Sequence, residues 1–417
     1  MNIIDELKWR GAINQTSDEE GLRELTDKKS IGLYCGIDPT GDSMHIGHLI
    51  PFMILKRFQL AGHKPVIVIG GATGSIGDPS GKKSERVLQT MDQVHHNQEA
   101  LRGQMVKLFG EDQFRLVNNY DWLSKLSLLD FLRDYGKLFN VKTMLNKEVV
   151  ASRLEVGISF TEFTYQILQS IDYLTLYREQ DVQLQIGGGD QWGNITAGLD
   201  LIRRVEGPET PVFALTIPLL LKADGTKFGK SEGGNVWLDP EKTTPYEFYQ
   251  FWLNQDDNDV VKFLEYFTFL DEDEINDLAE QVKKEPWKRA AQRRLAEEVT
   301  KFVHGDAALK QAEKITQALF SGDVKELSAD EIEQGFKAFP SVETTGATQN
   351  IVDFLADSGI EKSRRQARED VTNGAITING DKQTSVDADV DPKAMFDGKF
   401  VIVRRGKKRY FLARVSD

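Results

Sequence analysis

Leu33-Tyr34-Cys35-Gly36-Ile37-Asp38-Pro39-Thr40-Gly41-Asp42-Ser43-Met44-His45-Ile46-Gly47-His48-Leu49 is the stretch on which the fold of this chain turns. Its apolar start belongs to a run, 31–37, that reads as a buried strand, closed by the turn-forming Asp38-Pro39-Thr40-Gly41. His45-Ile46-Gly47-His48 then opens an amphipathic helix that continues through 49–60. Pro51 is expected in or near its first turn, where a missing N–H does no harm. A helix N-terminus after a strand attracts anions, because its N–H groups are unpaired and the dipole favours negative charge. Histidines 45 and 48 can donate there to phosphate oxygens, and Gly47, lacking a Cβ, lets a flat base approach the backbone. Two surface polar residues or a zinc pair are the alternative readings. Zinc is the weaker, since no third ligand is evident nearby.

The same grammar repeats outward. The apolar run 66–69 ends in Gly70-Gly71-Ala72-Thr73-Gly74, and 160–177 reads as another amphipathic helix. Strand, loop and helix in alternation predict an α/β domain, a Rossmann-like doubly wound parallel sheet with ligands at the carboxyl ends of its strands. From about 245 to 320 the pattern becomes helical only. A polar stretch follows, and then a short amphipathic helix at 351–355, a basic run at 362–368, turns at Asn373-Gly374 and Asn379-Gly380, and strands at 400–405 and 410–415. The expected domains are therefore 1–222 (catalytic), 223–325 (a basic loop and helices), 326–349 (a linker) and 350–417 (a small α+β domain).

Composition narrows the function classes. The 417 residues are 40% apolar and 28% charged, which suits two or three globular domains. The first residues lack a secretory pattern and no apolar run is long enough for a membrane span, so a cytoplasmic protein with no membrane partner is expected. One cysteine, Cys35, excludes a disulfide framework and a cysteine-rich metal site. Net charge is −13, yet residues 361–417 carry 13 Lys/Arg against 9 Asp/Glu, so an RNA contact would be concentrated in that tail.

A second segment carries chemistry. Leu221-Lys222-Ala223-Asp224-Gly225-Thr226-Lys227-Phe228-Gly229-Lys230-Ser231 is a glycine-punctuated basic loop after an apolar strand. Lys227 and Lys230 suit a leaving pyrophosphate, whose charge grows as its bond breaks. The spacing is not that of a P-loop, and a solvated basic loop is the bland alternative.

Taken together, His45-Ile46-Gly47-His48 and Lys227-Phe228-Gly229-Lys230-Ser231 resemble the paired signatures of class I aminoacyl-tRNA synthetases. Tyr34 to Thr40 and Gly187-Gly188-Gly189-Asp190-Gln191-Trp192-Gly193-Asn194 are similar to the bacterial tyrosyl branch of that family, and the likeness covers essentially the whole chain. The Phe228-Gly229 pair departs from the common Lys-Met-Ser-Lys-Ser form, as many enzymes of the tyrosyl branch do.

The resemblance implies ATP-dependent activation of L-tyrosine and loading of tRNA(Tyr), with Mg²⁺ accompanying ATP and no protein-bound metal. It implies catalytic roles for His45, His48, Lys227, Lys230 and Ser231. Tyrosine would be held by Tyr34, Asp38, Asp78, Tyr165, Gln169, Asp172 and Gln191, and ATP by Cys35, Gly36, His45, Gly47, His48, Gly187, Asp190 and Lys230. Lys82 and Arg86 would join on pyrophosphate. The tail resembles the RNA-binding domain named after ribosomal protein S-four, with Arg364, Arg365 and Arg368 on tRNA, and 223–325 would hold the anticodon-binding helices. A homodimer is implied, through the catalytic domain near 126–145.

The residues themselves leave more open. Tyr165, Gln169 and Asp172 form one helical stripe, which is either a pocket wall or a solvent face. Cys35 is either a ribose contact or a small core residue. A tryptophan-specific relative, a non-catalytic RNA-binding paralogue and a simple nucleotidyltransferase are the competing functions.

Overall fold

The computed structural model describes residues 1–416 apart from 81–88, 156, 227, 232–233, 338 and 407–408, with 230 and 231 described by backbone alone. The chain divides into two compact units, Met1–Lys242 with Trp252–Val299, and Thr243–Phe251 with Thr300–Asp417.

The first unit is built on a six-stranded sheet. Its strands are β1 (Gln15–Thr16), β2 (Gly32–Ile37), β3 (Lys64–Ile69), β4 (Arg115–Asn118), β5 (Val182–Gly188) and β6 (Phe213–Ile217), in the order β1-β6-β5-β2-β3-β4. Every neighbouring pair is parallel except β1 with β6. The expected doubly wound parallel sheet is therefore present. Its strands are apolar because helices cover both faces: Leu33, Val66, Ile67, Leu184 and Leu215 are all buried. Strand order reverses between β2 and β5, and that is where an open parallel sheet leaves a crevice at its carboxyl end.

The helices of this unit include α1 (Ile3–Trp9), α2 (Ile46–Leu60), α3 (Met91–Phe109), α4 (Phe160–Gln180), α5 (Trp192–Glu206) and α6 (Val260–Phe267). Helix α4 starts at Ser159, whose side chain accepts from the Glu162 N–H, and ends at Asp181 in a left-handed conformation (φ 54°). The buried Tyr173 hydroxyl lies 2.9 Å from the Gln183 carbonyl and 2.8 Å from that of Phe213, fastening α4 to β5 and β6. Pro51 sits inside α2, just past its first turn and so near the place expected. It has no N–H to offer the carbonyl of Gly47 one turn earlier, so the start of this helix has one bond fewer than a regular one.

In the second unit, α7 (Asp306–Ser321), α8 (Ala329–Phe336), α9 (Ile351–Asp357) and α10 (Arg364–Thr372) accompany a five-stranded sheet. Its strands are β7 (Ser341–Thr345), β8 (Ile376–Ile378), β9 (Asp381–Gln383), β10 (Phe400–Arg405) and β11 (Arg409–Ser416), in the order β9-β8-β10-β11-β7. The stretch expected as a linker, 326–349, is instead structured. Helix α8 buries Ile332 and Phe336 in a core with Tyr410 and Leu412, and β7 pairs in parallel with β11. An edge strand wet on one face has a polar sequence, which is why its Ser/Thr content resembles a linker. Asn379-Gly380 makes the expected tight hairpin turn (φ 47° and 90°) between β8 and β9. Asn373-Gly374 is also a turn, but one that ends α10 and not a hairpin, with Gly374 left-handed at φ 63°. Among the described residues no helix is long and apolar enough to cross a membrane.

Candidate active site

The start of α2 sets the chemistry of its two histidines. His45 caps the helix, its Nδ1 accepting from the Gly47 N–H at 3.0 Å, while the His45 N–H donates to Nδ1 of His48 at 3.2 Å. The rings stack with centroids 3.9 Å apart. A neutral imidazole that accepts at Nδ1 must carry its proton on Nε2. Both rings therefore point a donor away from the helix end. Burial, helped by the adjoining His45, pushes the pKa of His48 down to about 3. His48 is thus a neutral hydrogen-bond donor near pH 7, not a base or a cation.

A cavity of about 410 Å³ opens at the crevice between β2 and β5. Tyr34, Cys35 and Gly36 reach it from β2, with Asp38 just beyond that strand. Gly187 lines it from β5, followed by Asp190 and Gln191. Tyr165, Gln169 and Asp172 come from α4, and His48 and Asp78 complete the expected set. His45 and Gly47 are not in the wall; they stand beside His48 at the helix start. The α4 stripe is no solvent face, since Tyr165 and Asp172 are 6% and 4% exposed.

At one end of the cavity Asp172 accepts from Trp122 Nε1 at 2.8 Å and from Asn119 Nδ2 at 3.0 Å. Burial raises its pKa to about 7 in spite of these two donors. The Tyr34 hydroxyl is buried without a hydrogen-bond partner among the described residues. Burial first, and then the Asp172 charge, hold its pKa well above the ordinary tyrosine value. An unmet buried hydroxyl beside a carboxylate calls for a ligand that can serve both.

Toward the other end, Asp38 accepts from the Tyr165 hydroxyl at 3.0 Å and the Thr73 hydroxyl at 2.8 Å. Gln191 donates to Asp78 at 2.7 Å and lies 3.4 Å from Gln169 Nε2. Asn119 Nδ2 also donates to Thr73 at 2.9 Å, so Asp172, Asn119, Thr73 and Asp38 form one buried chain of hydrogen bonds. Burial drives the Cys35 thiol up to about 12, so it is a neutral side chain with no nucleophilic role near pH 7. Thr73 joins the site from the glycine-rich loop 70–74, whereas Asn119 and Trp122 join it without any motif in the sequence to mark them. Asn119 directly follows β4, so the rule that places ligands at strand carboxyl ends could have found it.

Of the second signature, Lys227 lies outside the described residues, as do the side chains of Lys230 and Ser231; Lys82 and Arg86 are outside as well. Phe228 is buried, and Gly229 (φ 116°) rests on the start of α2: a Cβ built at 229 would stand 3.7 Å from the Gly47 backbone. Downstream, the Ile46 N–H donates to the Val236 carbonyl at 3.0 Å and Leu238 to Met44 at 2.8 Å. The two signature segments are thus held against one another. In the second unit Arg364 is occupied by Asp353 (2.6 Å) and Asp357 (2.9 Å), whereas Arg365 and Arg368 are exposed and make no ion pair with a described residue.

Comparison with known proteins agrees with this geometry. A family described as tRNA synthetases class I (W and Y) matches residues 26–321, and one described as the tyrosine–tRNA ligase SYY-like C-terminal domain matches 331–413. The chain is 78% identical over 417 residues to a tyrosine–tRNA ligase of Pediococcus pentosaceus and 74% identical over 416 to that of Limosilactobacillus reuteri, covering all of each. Among solved structures it is similar to a C-terminally truncated mitochondrial tyrosyl-tRNA synthetase of Aspergillus nidulans, with TM-score 0.70 and 31% identity over 76% of this chain and 94% of that one.

Proposed function

This chain belongs to the class I tRNA synthetases of the W and Y type, and from that premise we propose that it activates L-tyrosine with ATP and loads tRNA(Tyr). The observation that carries the choice of amino acid is the unmet Tyr34 hydroxyl next to the doubly held Asp172 carboxylate. A phenol can donate to Asp172 and accept from Tyr34. Phenylalanine leaves the Tyr34 hydroxyl unserved and adds no donor to Asp172, and an indole N–H would leave Tyr34 unserved.

In the first step the tyrosine carboxylate, ionised at neutral pH, attacks the α-phosphorus of ATP and expels pyrophosphate. No general base is needed. Catalysis then rests on position and on donors aimed at the growing phosphate charge: Nε2–H of His45 and His48, with Lys227, Lys230 and Ser231 from the basic loop and Lys82 and Arg86 on pyrophosphate. Asp38, Asp78, Tyr165 and Gln169 hold the tyrosine ammonium, and Gln191 lies along its carboxylate. Cys35, Gly36, Gly47, Gly187 and Asp190 receive the nucleoside. ATP would bring Mg²⁺ with it, which would offset the charge of the phosphates. In the second step a hydroxyl of the terminal adenosine of tRNA attacks the carbonyl carbon of the tyrosyl-adenylate; the new ester forms as the bond to the phosphate breaks, and AMP leaves.

Arg365 and Arg368 support an RNA-facing surface on the second unit, and Arg364, already paired, contributes less. The largely exposed Leu128, Leu129, Leu132 and Val141 support a second copy of the chain as partner through the first unit. The cytoplasm is the setting that fits this reading. Charging of tRNA(Tyr) with tyrosine, tryptophan and phenylalanine in parallel tests the whole proposal: tyrosine alone is expected to be loaded, and loading of tryptophan instead would overturn it.

A further inference from the structure

The basic loop departs from the usual signature at Phe228, and the surroundings of that ring give it a purpose. Phe228 is 8% exposed in a loop otherwise polar. Its ring lies 4.7 Å from Phe263, 5.1 Å from Phe267 and 5.6 Å from Trp252, centroid to centroid. Phe263 and Phe267 belong to α6, so one face of that helix forms most of the box. Aromatic packing of this kind is specific in geometry as well as in burial.

The box is not free to wander. The last turn of α6 and the residues just after it are gripped by two buried arginines. Arg57 donates to the carbonyls of Glu265 (3.1 Å), Tyr266 and Thr268, and Arg10 to those of Glu265 (3.0 Å) and Leu270 (2.6 Å). Glu6 accepts from both guanidiniums, at 2.9 and 3.1 Å. Arg57 stands on α2, the helix whose first residues present His45 and His48. The wall that receives Phe228 and the helix that carries the histidines are therefore one braced piece. The next residue, Gly229, lies on Gly47 at that helix start.

We propose that Phe228 is a positioning residue for adenylate formation, a latch whose ring, seated among Trp252, Phe263 and Phe267, sets the basic loop in register with the histidine end of α2. This deepens the function proposed above and rests on it. Loss of the ring would leave the tyrosine pocket untouched, since none of Tyr34, Asp172 or Asn119 is among its ring contacts. It would remove the fixed point between the two lysine positions of the signature. Misplacement of catalytic groups by about 1 Å costs on the order of 100-fold in rate.

The test uses the full chain with Phe228→Ala, Phe228→Leu and Phe228→Met. Equilibrium binding of tyrosine is measured together with kcat and KM for tyrosine-dependent pyrophosphate exchange. Phe228→Ala is expected to lower kcat by about 100-fold while the tyrosine Kd stays within about twofold; Phe228→Met, which refills the box, recovers most of the loss. Retention of kcat within about threefold in Phe228→Ala would overturn the latch. So would parallel loss of tyrosine binding and exchange, which marks general damage. Should the alanine variant not fold, Phe228→Leu decides by the same split between kcat and Kd. If the unaltered protein shows no tyrosine-dependent exchange, the proposed function fails and not the latch alone.

Discussion

Replacing Tyr34 by phenylalanine should make the protein more stable and less selective at once. In the ligand-free protein the Tyr34 hydroxyl is buried with no partner among the described residues. An unsatisfied buried hydroxyl costs roughly 1–3 kcal/mol, and phenylalanine fills the same space without it. Even a net gain of about 1 kcal/mol raises Tm by about 2–4 °C for domains of this size. With tyrosine bound, the same hydroxyl donates to the phenol, and its loss removes one neutral hydrogen bond of about 0.5–1.5 kcal/mol. That corresponds to a fall of roughly 2- to 12-fold in kcat/KM for tyrosine. Activation of phenylalanine moves the other way, because Tyr34→Phe no longer leaves a hydroxyl stranded beside its ring. The assays are thermal unfolding without ligand and pyrophosphate exchange with each amino acid. A lowered Tm together with an unchanged preference for tyrosine over phenylalanine would refute the reasoning, since the hydroxyl would then already be satisfied and would not face the phenol.

The remaining predictions concern the same pocket and the surfaces around it. Because burial raises the Asp172 pKa to about 7, tyrosine kcat/KM should fall as pH drops below 7; His48, at about 3, cannot supply that limb. Asn119→Ala removes a donor to the ionised form and should move the limb to higher pH, which a pH–rate profile measures. The sign for stability is opposite: a carboxylate whose folded pKa is raised from 3.8 to about 7 favours the folded state most at low pH, and that contribution is lost as pH climbs through this window. Leu129→Glu places a charge in an exposed apolar patch and should shift the sedimentation coefficient from dimer to monomer; an unchanged dimer would exclude that face. Arg365→Glu with Arg368→Glu should raise KM for tRNA by tenfold or so without altering pyrophosphate exchange, and unchanged charging would remove these arginines from the RNA surface.

Much of this architecture is legible in the amino-acid sequence alone. Strands β2 and β3 are buried on both faces, so their apolar runs stand out, and the glycine-rich ends of the same runs mark the crevice. Tyr165, Gln169 and Asp172 are visible as a stripe but not as a wall. A polar pocket and a solvent face use the same residue types, and the difference lies in Asn119 and Trp122, which arrive from β4 and beyond. Those partners are remote in sequence, and helical spacing carries no sign of them. Residues 341–345 mislead because an edge strand and a linker share a polar composition. Pro51 falls near the first turn, close to where the sequence puts it, and frees the Gly47 carbonyl. Phe228 is conspicuous as a departure from the signature, but its aromatic box is assembled from residues that only the fold brings together.

The central claim is that the cavity between β2 and β5 selects tyrosine for adenylate formation. Exchange of labelled pyrophosphate into ATP, run with tyrosine, tryptophan and phenylalanine on the unaltered protein and on Asp172→Ala, tests it most directly. Exchange is expected with tyrosine alone, and is expected to be lost in Asp172→Ala while the protein remains folded. Exchange that survives in Asp172→Ala, or that tryptophan supports as well as tyrosine, would contradict it.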